Sequence, residues 1–147
     1  MGTIDTGRGN SGYVRTGPSG VLSPVIWRIL SAVALLAMAG IHLYLVFDGV
    51  GGVLGFLFVL NAIGGLVLAI AMLAAPRRLL AIASVLSLLF IVGTLLALIL
   101  ALTVGLFGIT ETLDFTLVPT TLVVEPAGII VLAATTFLAL RLRHTHD

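Results

Sequence analysis

The chain has 147 residues, of which 60% are hydrophobic and only 9% charged, and its formal net charge is +1. Soluble domains contain roughly 45–50% apolar residues, so this composition predicts an integral membrane protein surrounded by lipid bilayer. The small net charge offers no basic face for nucleic acid, because such binding depends on clustered cations. The absence of cysteine excludes disulfides, thiolate metal sites and thiol catalysis.

Charged residues divide the apolar sequence into four segments and alternate in sign along the chain. In order, the segments are bounded by Arg8, Arg15 and Arg28, then Asp48, then Arg77 and Arg78, then Glu111, Asp114 and Glu125, and finally Arg141 and Arg143. Short cytoplasmic segments of membrane proteins collect arginine and lysine. We therefore expect an all-α, four-helix transmembrane bundle in the cell membrane, with both termini in the cytoplasm.

The chain is expected to form one membrane domain behind a polar tail. Residues 1–22 are rich in glycine and polar residues, a composition typical of a flexible segment. Residues 23–147 hold the membrane domain, with predicted spans at about 24–47, 53–75, 79–107 and 119–140. The third of these is long for a hydrocarbon core of about 30 Å, so we expect it to tilt or protrude.

Two boundaries leave alternatives. The first span also resembles a signal peptide with an apolar run ending at Ala37-Met38-Ala39; the apolar sequence continues to Phe47, which favours a spanning helix. The fourth span begins either near Pro119 or at Pro126. A start at Pro126 leaves about 15 residues before Arg141, too few to cross, so we favour the longer helix, which encloses Glu125 and Pro126.

Small residues fall at every fourth position of the third span, namely Gly93, Ala97, Ala101 and Gly105. This spacing allows close approach of helices in lipid. Packing within the bundle is the favoured interpretation, and a homo-oligomer or an interface with another membrane protein is the alternative. Gly65 and Ala69 repeat the spacing in the second span.

Three polar residues lie within the predicted spans and are the candidates for a proton or ligand site: His42, Asn61 and Glu125. His42 and Glu125 are each expected about 9 Å below the outer surface, and ionisable groups at such depth usually face the bundle and find partners. For His42 and Glu125, an inward-facing structural hydrogen bond or a position at the outer interface is the favoured interpretation, ahead of a proton or ligand site. Metal ligation is the least favoured, since one histidine with carboxylates is a poor ligand set.

Three acids are expected in the outer loops: Asp48, Glu111 and Asp114. Charges on a wet loop need no partner; the alternative is that these acids bind a cation together with the deeper residues. The sequence lacks G-x-S-x-G, H-E-x-x-H, phosphate-loop and dinucleotide-binding motifs, and it has one intramembrane histidine where a haem between helices needs two axial ligands. We therefore expect no enzyme, no cofactor and no metal.

The stretch from Ala39 to Leu45 (Ala-Gly-Ile-His-Leu-Tyr-Leu), followed by Phe56 to Ala62, then Gly105 to Gly108 with Glu111, and finally Glu125, resembles small four-span actinobacterial membrane proteins of unknown function. The resemblance implies a fold and a membrane location, and no activity. The leading functional hypothesis is a non-catalytic accessory or scaffold subunit of an envelope assembly. The alternative is a small proton-linked transporter or ligand-binding protein that uses His42, Asn61 and Glu125.

Overall fold

The computed structural model describes residues 23–105, 108, 110, 112–114 and 116–144. It contains four helices: α1 (Pro24–Phe47), α2 (Gly52–Ala74), α3 (Arg77–Thr103) and α4 (Val118–His144). All four are long and apolar enough to cross a membrane, and there is no strand in the described ranges. The prediction of an all-α, four-helix bundle is confirmed. The N-terminal tail and Glu111 lie outside the described residues.

The four helices form a ring in which helices consecutive in the chain are neighbours. α1 packs against α2 and α4, while α3 packs against α4 and α2; the α1 to α2 interface is the most extensive and the α2 to α3 interface the least. We call the end of the bundle that carries Asp48 and Asp114 the acid-bearing end. The opposite end, with Arg28 and Arg77, is the arginine-bearing end.

The connections follow from proline and glycine chemistry. Pro24 occupies the first position of α1, where its missing N–H leaves no hydrogen bond unmade. In the turn after α1, Gly49 and Gly52 have φ of 100° and 63°, which glycine adopts without steric cost. Pro76 separates α2 from α3 and confines the α2 to α3 connection to a short turn.

The third span ends earlier than its predicted boundary at about residue 107. α3 ends at Thr103, and Gly105 follows with φ of 82°. A left-handed glycine just past the last turn is a common helix terminator. The apolar composition of the following residues concealed this stop.

α4 encloses both residues that distinguish its two predicted starts. The helix begins at Val118 and contains Pro126, so the short helix beginning at Pro126 is not formed. Leu117, immediately before it, has φ of 65°, a conformation uncommon for a residue other than glycine. The Leu117 carbonyl accepts hydrogen bonds from both the backbone N–H and the hydroxyl of Thr121, each at 2.8 Å. These bonds order the first turn of α4.

Tight packing is concentrated where glycines allow helices to approach. A Cβ added to Gly65 on α2 would lie 3.0 Å from Ala39 Cβ on α1, and one added to Gly128 on α4 would lie 2.5 Å from Ile91 Cδ1 on α3. In contrast, a Cβ at Gly93 would meet nothing within 4 Å. Gly105 lies beyond the end of α3. The small residues predicted to form one packing stripe on α3 therefore do not share one helix interface: Gly93 faces open space, and Gly105 is outside the helix.

The best-packed part of the core lies toward the arginine-bearing end. Its side chains include the fully buried Leu35, Met72 and Leu132. Many large apolar side chains instead point outward along all four helices, as a lipid-facing surface requires; examples are Phe56, Ile63, Leu89, Val123 and Ile130.

Polar contacts join the helices at the arginine-bearing end. Arg28 of α1 donates hydrogen bonds from Nε to the carbonyl of Met72 and from Nη2 to those of Leu73 and Ala75, each at 2.8 Å. Carbonyls in the last turn of a helix lack partners within it, so the guanidinium group satisfies the end of α2. The connection ties α1 to α2 with a charged side chain.

Candidate functional site

A cavity of about 100 Å³ lies between all four helices near the acid-bearing end. Its lining combines apolar side chains with a group of polar ones. The lining residues are His42 and Leu45 of α1, Leu54, Leu57, Phe58 and Asn61 of α2, Thr94, Ala97, Leu98 and Ala101 of α3, Thr116 of the following loop, and Val118, Thr121 and Glu125 of α4. The structure thus brings together the three candidate residues His42, Asn61 and Glu125.

Glu125 is the most unusual residue of this site. Its side chain is fully buried, with 0% of its surface exposed. Among the described residues neither carboxyl oxygen has a hydrogen-bond partner. Thr94 lines the same cavity, but its hydroxyl donates to the Ile91 carbonyl at 2.8 Å. The carboxyl group is therefore buried at a cavity wall and makes no hydrogen bond to the described part of the protein.

His42 faces the cavity with its orientation fixed. The side chain is 7% exposed, and Nδ1 lies 2.9 Å from the carbonyl oxygen of Met38. Because a carbonyl can only accept, Nδ1 carries the proton, and in the neutral ring Nε2 is then an acceptor. The edge of the ring packs against Phe58, with centroids 5.1 Å apart and planes at 81°. These contacts hold the imidazole between α1 and α2.

Asn61 and three threonines, Thr94, Thr116 and Thr121, complete the polar part of the lining. Asn61 is half-buried on α2, and its amide offers both donors and an acceptor. The Thr121 hydroxyl donates a hydrogen bond to the Leu117 carbonyl at 2.8 Å. The Thr94 hydroxyl donates in the same way to the Ile91 carbonyl. Each of these two oxygens therefore keeps lone pairs available to a ligand. The cavity wall is richer in acceptors than in donors.

His42 makes a structural hydrogen bond, but within its own helix, and it is not hydrogen-bonded to Glu125. His42 Nδ1 bonds to Met38 on its own helix, and the carboxyl oxygens of Glu125 have no partner in the described part of the chain. Both side chains nevertheless line one cavity. The two side chains therefore share a cavity wall, and neither provides a hydrogen bond to the other.

The two outer acids that the structure describes are separate from this site. Asp48 and Asp114 are exposed and are not part of the cavity lining. No cluster of three or more metal-binding side chains occurs within the described ranges. Of the small residues of α3, Ala97 and Ala101 line the cavity, where their size leaves the space open.

Of the polar and aromatic lining residues, four were not site candidates in the sequence analysis: Phe58, Thr94, Thr116 and Thr121. Helical spacing identifies three of them in retrospect. Thr121 precedes Glu125 by four residues and Phe58 precedes Asn61 by three, and residues so spaced share a helix face. Thr94 likewise precedes Ala97 and Ala101 by three and seven. The missing information was the rotation of each helix about its axis.

Comparison of the chain with protein-family models, curated protein sequences and solved structures finds no match. The resemblance to four-span actinobacterial proteins stays a prediction.

Proposed function

We propose that this integral membrane protein binds a small polar solute in the cavity between its helices, with Glu125 exchanging the solute for a proton. The observation that carries the proposal is the fully buried carboxyl group at the cavity wall, which has no hydrogen-bond partner among the described residues. An uncompensated charge within a membrane protein is costly, so a carboxyl group there needs a proton or a cation beside it. A cavity provides the room for either to come and go.

The size of the cavity supports a binding function. A single water molecule needs about 10–15 Å³ of such space, so about 100 Å³ accommodates several waters or one small solute. Polar lining residues come from all four helices, and small changes in helix position alter the whole site. A proton-linked carrier requires this kind of arrangement.

Access is proposed from the acid-bearing end. Thr116, an exposed residue of the loop before α4, contributes to the lining, whereas the fully buried Leu35 and Leu132 lie toward the opposite end. Arginines flank that opposite end, which favours a cytoplasmic location for it. The cavity then opens away from the cytoplasm.

This orientation is testable because the chain has no native cysteine. Single cysteines at Asp114 and at Arg78 are predicted to react differently with a membrane-impermeant maleimide added to intact cells. The cysteine at position 114 should label, and that at position 78 should label only after the membrane is permeabilised. The reverse pattern would overturn the orientation.

Reconstitution in liposomes tests the function. Wild-type protein should move protons coupled to a small solute, while His42→Ala and Glu125→Gln each abolish the flux and retain helical content and elution volume. Asp114→Asn, which removes an exposed acid outside the cavity, is the matched control and should keep the flux. Wild-type protein that neither binds nor moves any member of a broad panel of cationic, neutral and anionic solutes would overturn the proposal.

An accessory or scaffold function is the second candidate. The observation that favours it is Gly93, an exposed small residue on α3 beside which an added Cβ meets nothing within 4 Å. Another helix can approach closely at such a position. Crosslinking and gel filtration in mild detergent should then give a complex that Gly93→Leu dissociates. A monomer that purifies without a partner counts against this function.

A further inference from the structure

The chemistry of the cavity wall defines the ligand more closely, given the proposed binding function. We infer that the cavity binds a small ammonium-type cation, either ammonium itself or a short primary amine in its protonated form. Three properties of the site support this class of ligand: its surplus of hydrogen-bond acceptors, its uncompensated acid, and its size.

The acceptors belong to different helices and face a common space. His42 Nε2 is an acceptor because Nδ1 is committed to Met38 at 2.9 Å. The hydroxyl groups of Thr94 and Thr121 donate hydrogen bonds to backbone carbonyls, each at 2.8 Å, so their oxygens remain available as acceptors. With the two carboxyl oxygens of Glu125, these groups suit a ligand that only donates, which an N–H cation does in up to four directions.

Charge distribution favours a cation in the same place. No arginine is among the described residues that line the cavity, and the chain has no lysine at all. Arg28 is committed to three carbonyls at the opposite end of the bundle. With the His42 ring neutral, a ligand is therefore the remaining source of positive charge for Glu125 among the described residues of the lining. The ring of Phe58, another lining residue, is compatible with a cation nearby.

Size separates this ligand from a bare metal ion. The cavity of about 100 Å³ exceeds the needs of a single sodium ion, which requires oxygen ligands contracted around it. A water molecule needs about 10–15 Å³ of such space, and ammonium is similar to water in size. A methylammonium ion therefore fits together with several waters, with its methyl group toward the leucines of the lining.

Binding also has a defined proton balance. When the carboxyl group of Glu125 carries a proton in the empty cavity, an entering alkylammonium ion takes its place as the neutralising charge. The O–H bond of the carboxyl group breaks, the proton leaves to solvent, and the N–H bonds of the ligand remain intact. One proton is released for each cation bound.

Calorimetric titration of the full-length protein in detergent with methylammonium chloride tests the inference. Saturable binding is expected in the wild type, and the measured enthalpy should vary with the ionisation enthalpy of the buffer by an amount equal to one released proton. Glu125→Gln should weaken binding by about 10- to 100-fold, the loss expected for a hydrogen bond to a charged group. Asp48→Asn, which changes an exposed acid outside the cavity, should bind as the wild type does.

A second pair of variants covers the case in which Glu125→Gln does not fold. Ala97→Leu fills the cavity and leaves every polar group in place, so it should abolish binding. Ala127→Leu adds the same atoms to the exposed surface of α4 and should leave binding unchanged. Equal affinity in Ala97→Leu and the wild type would overturn the inference.

Competing solutes separate failure of this inference from failure of the proposed function. Acetamide or acetate that binds in place of methylammonium would overturn the cation class and retain a solute-binding protein. Sodium that displaces methylammonium with equal affinity would replace the ammonium class with an alkali-metal site. Absence of binding by every one of these solutes, in wild type and variants alike, would overturn both.

Discussion

Arg28 and Glu125 are ionisable side chains near opposite ends of the bundle, and they differ in how fully their polar atoms are hydrogen-bonded. At the arginine-bearing end, Arg28 reaches three carbonyl oxygens of α2, each at 2.8 Å. At the acid-bearing end, Glu125 is fully buried and has no hydrogen-bond partner among the described residues. Hydrogen-bonded charge stabilises a helix pair, whereas an unsatisfied buried group lowers stability. The difference indicates that the first end maintains the fold and the second provides the site.

The largest effect is expected from a cavity introduced at the arginine-bearing end. Leu132 is fully buried in the core, and Leu132→Ala should lower the free energy of unfolding by about 2 kcal/mol or more, because the lost packing is not replaced. Leu66→Ala, at a lipid-facing position with 48% exposure, is the control and should have little effect. Denaturant titration in mixed micelles measures both. Similar losses in the two variants would contradict a structural difference between core and lipid-facing positions.

Removal of the guanidinium group of Arg28 should give the next largest effect. Arg28→Ala leaves the carbonyls at the end of α2 without these donors and should cost about 1–2 kcal/mol in the same titration, after allowance for partial exposure. Arg78→Ala removes an exposed arginine near the same membrane surface and serves as the control. Equal stability of the two variants would show that Arg28 acts only as an interfacial charge.

Glu125 should give an effect of opposite sign. Glu125→Leu replaces an unsatisfied buried acid with an apolar side chain of similar size, and we expect a gain of about 1 kcal/mol in stability together with loss of solute binding. Thermal unfolding in detergent, compared with Asp114→Asn, measures the gain. A marked loss of stability in Glu125→Leu would show that the carboxyl group supports the fold and would remove the distinction between the two ends.

The smallest effect concerns a hydrogen bond between helices. The hydroxyls of Ser31 on α1 and Thr135 on α4 lie 2.9 Å apart, and contacts of this kind in membranes contribute about 0.6 kcal/mol on average. A double-mutant cycle with Ser31→Ala and Thr135→Val should give a coupling energy of that size. Ser84, whose hydroxyl bonds within its own helix to Ala81, should show no coupling to Thr135.

Sequence patterns predicted the number and type of the helices because long apolar segments and their flanking charges carry that information directly. They also predicted that α4 encloses Glu125, since the shorter helix was too short to cross. The end of α3 was placed too late, because a left-handed glycine is a local conformational signal within a continuous apolar sequence. Gly105 supplies that signal.

The site was predicted in part. His42, Asn61 and Glu125 were identified because polar residues are rare in membrane spans. Their relation to one another depends on helix rotation, which the sequence does not specify. His42 bonds to its own helix, and Glu125 has no hydrogen-bond partner among the described residues, although both line the same cavity. Gly128, which fixes the approach of α4 to α3, also escaped detection because it has no neighbour at the small-residue spacing.

The contacts of Arg28 bear on how the protein is assembled during synthesis. They require only the chain up to Ala75, and the α1 to α2 interface they close is the most extensive in the bundle. The first two helices therefore contain the means to enter the membrane as a joined hairpin before α3 has been translated. In that order of assembly the cavity forms last, when α4 with Glu125 packs against the helices already in place.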